Sequence, residues 1–475
     1  MQAFLAACGA AALRPDDGCT FPWPIPPLGV IRPPDADAAA ANLALAGRMG
    51  VPLHPVSRGR SWGLGSAMPP REAVILDLSG LDRVLDMDVV HGTVRVEPGV
   101  TFRQLEAALT AVDAPFHIPA FGGPPDASVL ANSLERGEGS GAMGDRFAHL
   151  WDLDVALSTG ERLRTGHARH GMAHLSALHA RPAGPLLEGL LSQTSAACVL
   201  SGRLALARTP RFAAYLGCDL APDRVGDFVK AVRLLMHEDV LAAHDVFFWD
   251  GAKRLSSAAI AVDHDPGPFS ATDLRAWSAS IAISASHQML FDCRMALALS
   301  ALTPLAVAIE VFDESGDLAS GLRGRSDGAN LVSCYWAKPA LGPAPLNPDR
   351  DRCGFLWLCP VLPFEPEALL ALSLLVQQVV EAHGIFIATG AEAATARALI
   401  GYVSLAWDRD EPGADARALR AHDDLFNGLW ALGFGPYRLA LPTRGLMPAA
   451  QDAWEGVATR LRAALDPGGQ FGAGR

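Results

Sequence analysis

Residues 55–65 read Pro55-Val-Ser57-Arg58-Gly59-Arg60-Ser61-Trp62-Gly63-Leu64-Gly65, with three glycines within seven residues. The run lies between two short apolar segments, Val51–Val56 and Ala73–Leu78, each with the length and branched content of a strand. Glycine enters φ > 0 without a Cβ penalty and lets another group touch the main chain. Successive N–H groups in such a turn converge and suit an anion. The spacing therefore predicts either a diphosphate cradle or a plain glycine-rich turn. It is not a GxGxxG opening a helix, and it lacks the Lys-Ser/Thr of a P-loop.

The segments around this loop alternate between helix and strand signals. Asp35 or Asp37 caps an alanine-rich helix that Gly50 stops. Thr93–Glu97 reads as a strand. Thr101-Phe-Arg-Gln104 is a capping box opening a helix through Val112, with Phe102, Leu105 and Leu109 on one face. Asp154–Ser158 and Arg162–Thr165 flank Thr159-Gly160-Glu161 as a hairpin. His167–His179 reads as an irregular connection. Beyond Arg211, helical spacing marks Asp223–His237, Pro366–His383, Ala416–Leu432 and Ala449–Leu465, and Leu356–Leu362 reads as a buried strand.

A chain of 475 residues, half of them hydrophobic, is too apolar for disorder. At roughly 100–200 residues per domain it holds two to four domains. The formal charge of −12 argues against a nucleic-acid binder. Eight cysteines without a CxxC pair point to a reduced, cytoplasmic protein rather than a disulfide scaffold. The apolar stretch Met295–Ile309 is short of the roughly 20 residues a membrane span needs, and Pro304 interrupts it. The histidines at 167, 170, 174 and 179 fit no rigid ligand set, so no metal is expected.

Residues 55–166 resemble the FAD domain of the vanillyl-alcohol oxidase and p-cresol methylhydroxylase flavoproteins. Three blocks carry the likeness: Pro55–Gly65; Val96-Glu-Pro-Gly-Val100 with the helix from Thr101; and Asp126-Ala-Ser128-Val-Leu-Ala-Asn132-Ser-Leu-Glu135-Arg136-Gly137, running on to Gly144-Asp145-Arg146 and Gly160–Gly166. Further on, Phe355-Leu-Trp-Leu-Cys-Pro360, Gly435-Pro-Tyr437-Arg438 and Leu465-Asp-Pro-Gly468 resemble later family segments.

The resemblance implies an α+β fold: a PCMH-type FAD-binding domain (1–210), an α+β cap or substrate domain with an antiparallel sheet (211–440), and a C-terminal segment (441–475) returning to the first. It places FAD on Pro55, Ser57, Arg58, Gly59, Arg60, Ser61, Gly63, Gly65, Ser128, Asn132, Glu135, Arg136, Gly137, Gly144 and Asp145. Asp126 matches a carboxylate that assists proton movement near the flavin. Tyr437 and Arg438 match a pair that stabilises a substrate phenolate. Two further family tyrosines correspond to Leu64 and Met143, which donate no strong hydrogen bond; their loss removes about 1.5–3 kcal/mol each toward a charged oxygen. A larger, less acidic substrate than a simple alkylphenol follows.

Phe355 occupies the slot where relatives tether the flavin, and Ser61 the other tethering slot. Neither makes the usual bond, so FAD is expected to be non-covalent. Leu399 and Ile400 replace a family histidine pair, and the pocket reads as apolar. The expected reaction is hydride transfer from a C–H bond alpha to oxygen, nitrogen or an aromatic ring of a small-molecule substrate to flavin N5. Dioxygen or another acceptor then takes the electrons, and a homodimer is in keeping with the family. The alternative is a non-redox step such as cyclisation, with FAD structural.

Overall fold

The computed structural model describes residues 1–14, 18–119, 122–141, 143–194, 196–258, 276–312 and 329–471. Three main sheets organise them. The first takes the order Ala10–Ala11, Gly29–Ile31, Val74–Asp77, Leu53–Val56. Val74–Asp77 runs parallel to both its neighbours, is buried along its whole length, and lies under the helix Ala36–Met49. Parallel strands covered by a helix read as continuous apolar runs, which is why AVILDL was legible. Asp35 accepts from the Ala38 N–H, and Gly50 closes the helix at φ +64°.

The second sheet is antiparallel, ordered Val84–Asp88, Thr93–Val96, Cys198–Ala205, Leu150–Ala156, Arg162–Arg164. The hairpin about Gly160 and the helix Phe102–Ala111 both form as the sequence predicts, and both halves of the Thr101/Gln104 capping box are present. The last described residues return to the first sheet. Gln470 accepts from the Leu53 N–H at 3.0 Å, and Phe471 is buried beside Leu43 and Leu53.

The third sheet has eight antiparallel strands: Ala308–Phe312, Phe212–Asp219, Ser278–Ala285, Val246–Trp249, Phe386–Thr395, Ala398–Asp408, Cys353–Pro363 and Pro436–Arg438. Side chains alternate between faces along each strand. Leu356, Leu358, Val403, Leu405, Ala391, Val246 and Phe248 join one core with the helices Val225–His237, Gln288–Leu302, Pro366–His383 and Ala414–Ala431. The opposite face carries Phe355, Trp357 and Cys359, Tyr402 and Ser404, Gly390 and Glu392, and Phe247 and Trp249. The helix Gly251–Ala258 and the glycine-rich loop both abut that face.

The stretch Met295–Ile309 is divided among the end of the helix Gln288–Leu302, a short turn, and the strand Ala308–Phe312. Among the described residues, no helix is long and apolar enough to cross a membrane. The last helix starts only at Trp454, where the Asp452 carboxylate accepts from the Trp454 N–H at 2.9 Å.

Because Thr101 and Gln104 satisfy the helix start reciprocally, Thr101→Ala is expected to cost about 1 kcal/mol of stability. Thr101→Ser should retain most of it, as read by chemical denaturation of the two variants.

Candidate functional site

The glycine-rich loop leaves the strand Leu53–Val56 and turns back on itself: Leu64 and Ser66 both donate backbone N–H to the Ser61 carbonyl. Gly59, Gly63 and Gly65 have φ of +64°, +78° and +141°. Among the described residues, the backbone N–H groups of Ser57, Arg58, Gly59, Ser61 and Trp62 have no protein acceptor. Arg58 reaches only carbonyls, Ser79 O at 3.3 Å and Asp126 O at 3.4 Å. Free amides in a half-buried turn, with a cation that pairs with no carboxylate, form a ready anion cradle.

Gly63 fixes where this loop meets the large sheet. Its N–H donates to Thr20 Oγ1 at 2.9 Å, and its carbonyl accepts from the Trp357 N–H at 3.0 Å. A Cβ here would lie 2.5 Å from the Trp357 ring and 2.9 Å from Phe355. Thr20 Oγ1 in turn donates to the Phe355 carbonyl. Phe355 is fully buried, edge-on to Trp357 with centroids 5.0 Å apart.

The block from Asp126 splits between these surroundings. Ser128 caps the short helix Val129–Leu134. Asn132 accepts from Arg146 at 2.6 Å and packs under Gly137. Glu135 and Arg136 are exposed; Arg136 bonds Ser192 and stands over Phe147. Gly144 lies so close to Gly139 O and His244 that a Cβ would overlap both, and Asp145 caps the turn at Ala148. Met143 is half-buried in the same loop, whereas Leu64 packs toward the large core. Pro55 lies opposite Leu76 in the strand register, Arg60 stands over Trp62, and Gly65 touches Leu441. The Asp126 carboxylate is 48% exposed and pairs with Arg103 at 3.0 Å.

The pocket is not apolar throughout, as the replaced histidine pair had suggested. Leu399 faces the core, and the strand partner of Ile400 is Glu392. His244 Nδ1 lies 2.7 Å from Glu392 and 3.3 Å from Glu138, and the Tyr402 hydroxyl donates to Glu392. The Glu138, His244 and Glu392 ligand atoms lie within 4.8 Å of one another. Fully buried Arg146 bonds the Glu138 carbonyl and balances part of the negative charge.

These residues are far apart in sequence and match no local motif, so a sequence reading misses them. Burial pushes Glu138 up to about 8, with the Glu392 and Asp145 charges adding and His244 opposing. Burial pulls His244 down, but the hydrogen bond and charge of Glu392 outweigh it, leaving the imidazole above its ordinary value. Burial likewise raises Tyr402 and Tyr437 well above an ordinary phenol, the Glu392 charge adding for each.

Tyr437 and Arg438 lie on the short strand Pro436–Arg438, where Arg438 is paired with Cys359. Gln193 donates to the Tyr437 carbonyl at 3.0 Å. Among the described residues, the Arg438 guanidinium makes no ion pair.

Residues 27–166 match the model of a FAD binding domain. The chain is 31% identical, over 94% of its length and 90% of the relative's, to 1'-carboxy-chondrochloren decarboxylase of Chondromyces crocatus. It belongs to the PCMH-type family of FAD-linked oxidoreductases. It is also 23% identical, over 82% of its length and 76% of the relative's, to the 4-cresol dehydrogenase (hydroxylating) flavoprotein subunit of Pseudomonas putida. The fold is similar to p-cresol methylhydroxylase with substrate bound, at a TM-score of 0.88, 19% identity and coverage of 100% of this chain and 95% of that one. It is likewise similar to the 4-ethylphenol oxidase of Gulosibacter chungangensis, at 0.84, 19%, 96% and 92%. The PCMH-type chain is thus a FAD-binding enzyme, and the free amides and Arg58 of its loop fit a diphosphate.

Two outcomes follow. Gly63→Ala should lower FAD occupancy and melting temperature together, because the added carbon meets a side chain and forces L-residue strain at φ +78°; the flavin-to-protein absorbance ratio reads the first. Glu138 holds a proton up to about 8 when folded, whereas an ordinary carboxyl releases it near 4.5. The folded state then binds more protons across that window, so stability falls as pH rises through it. Asp245 and Asp250, each raised to about 7 by burial, add the same sign. Glu138→Gln should flatten the decline in melting temperature between pH 5 and 8.

Proposed function

We propose that this enzyme oxidises a bulky phenolic molecule, removing a hydride from a carbon alpha to oxygen, nitrogen or the aromatic ring. Residues 1–210 hold the cofactor and residues 211–440 cover the substrate, with 441–475 completing the first unit. The observation that carries the reading is an Arg438 guanidinium without an ion-pair partner among the described residues, beside the half-buried Tyr437, on the same sheet as a Tyr402–Glu392–His244 group that Glu138 joins from a loop.

FAD, when bound, supplies the hydride acceptor. Arg438 offers a positive charge to a developing phenolate, and Tyr437 a hydroxyl donor. Together they lower the phenol's pKa and favour electron release toward the reacting carbon. Glu392, already accepting from Tyr402 and held beside His244, is the carboxylate placed to take a substrate proton. The neutral residues Leu64 and Met143 leave room for an arm on the ring rather than adding donors. Asp126, paired with Arg103 at the surface, acts on the position of its loop more than on a reacting proton. Dioxygen or another acceptor then takes the electrons.

The cofactor is held without a covalent bond. Phe355 has no nucleophilic atom. Burial pushes the neighbouring thiols of Cys353 and Cys359 up to about 12 each, so neither is a thiolate near neutrality.

A second reading, release of CO₂ from a carboxylated substrate, draws on the likeness to the 1'-carboxy-chondrochloren decarboxylase of Chondromyces crocatus. Anaerobic mixing with a panel of phenolic compounds separates the two. Bleaching of the flavin in step with product supports oxidation; product with the flavin still oxidised supports a non-redox step. Arg438→Ala should slow bleaching by about two orders of magnitude, and Tyr437→Phe by less. Equal rates in both variants would remove the pair from the site. Acid precipitation should leave a colourless pellet and free FAD in the supernatant.

A further inference from the structure

The Tyr402–Glu392 group ends one side of the sheet face; a single buried lysine stands on the other. Lys253, on the helix Gly251–Ala258, is 3% exposed. Its ammonium donates to Ser333 Oγ at 3.3 Å and stands 5.5 Å from the centre of the Trp357 ring. An ammonium has three donors, and a buried one without an anion is costly.

Asp250, whose charge acts on the lysine from the same helix start, is engaged by main-chain donors. The Asp250 carboxylate accepts from the backbone N–H groups of Lys253 at 2.7 Å and Thr389 at 2.9 Å. Among the described residues, no carboxylate lies within ion-pair distance of the Lys253 ammonium. Ordinary structural lysines pair with an acid or reach solvent, and among the described residues this one does neither.

Its position is set by the same strand that meets the cofactor loop. Trp357 bonds Gly63 on one edge, stands edge-on to Tyr402 with centroids 6.3 Å apart, and lies under Lys253. Lys253, Trp357, Tyr402 and Glu392 therefore form one row across this sheet face. Arg438 and Tyr437 mark the phenol end.

We propose that Lys253 binds a carboxylate on the substrate's side arm, which makes the substrate class a phenolic acid. The inference rests on the phenol-binding reading above. A carboxylate supplies the acceptor that Asp250 withholds, and Trp357 gives the arm an aromatic wall to pass. Burial lowers the Lys253 pKa to about 8, with the charges of Cys334 and Asp250 opposing; a bound carboxylate would hold the proton in place.

The test compares 3-(4-hydroxyphenyl)propanoate with its primary amide, titrated into FAD-loaded protein and followed by perturbation of the flavin spectrum. The native protein should bind the acid at least tenfold more tightly than the amide. Lys253→Gln should abolish that preference with FAD content unchanged, Lys253→Arg should keep most of it, and Arg438→Ala should weaken both probes alike. No preference in the native protein, or a preference surviving in Lys253→Gln, overturns the anchor while leaving the phenol site standing. Binding of neither probe by native, FAD-loaded protein overturns both. Loss of FAD in both Lys253→Gln and Lys253→Met assigns the lysine to the cofactor and likewise overturns the proposal.

Discussion

The contact between Gly63 and the strand Cys353–Pro363 joins the two halves of this enzyme. One backbone bond, from Trp357 to Gly63, and the Thr20 hydroxyl, shared between Gly63 and Phe355, hold the loop against the sheet. A second clasp lies beside it, where Asp349 accepts from Trp62 and Ser66 at 3.1 Å each. The distance from the loop's free amides to the row Phe355, Trp357 and Tyr402 is thereby fixed by main-chain geometry rather than by mobile side chains. A site for hydride transfer needs such rigidity, since small misplacements of reacting atoms lower rate steeply.

The second constraint is buried charge. Glu138, Glu392 and Asp245 lie together, and an isolated buried carboxylate is strongly disfavoured. Three devices offset this. His244 sits between Glu138 and Glu392, Arg146 is clamped by Asn132 Oδ1 and the carbonyls of Glu138 and Pro119, and burial raises the Glu138 and Asp245 carboxyls toward their neutral forms. The same features that make the group expensive make it able to exchange a proton near neutrality. Gly144 is required here for space: any side chain would displace His244. The glycine belongs to the proton-handling group as much as to the cofactor loop.

The parts of the fold that were legible in the sequence are those governed by local rules. The helix Ala36–Met49, the Thr101 capping box, the strand Val74–Asp77 and the hairpin at Gly160 each carry their own caps, periods or turn residues. After Arg211 the helices and the strand Cys353–Pro363 were legible, but most of the sheet was not. Its strands Phe212–Asp219 and Ser278–Ala285 are built largely from Ala, Ser, Gly and Cys. Such residues have weak strand preference, and here the pairing across the sheet decides.

The sequence by itself determined the family and the glycine-rich turn between two strands, and it raised the Tyr437–Arg438 pair as a candidate, because each is a short ordered run of neighbours in the chain. Only the tertiary structure decided which other polar residues gather here. Glu138 comes from a loop of the first half, His244 from the turn before the strand Val246–Trp249, Glu392 and Tyr402 from two other strands, and Lys253 from a helix. Each looks like an ordinary polar residue in its own segment. They become a site because alternate side chains of antiparallel strands must share a face, and that face is the one the glycine loop closes.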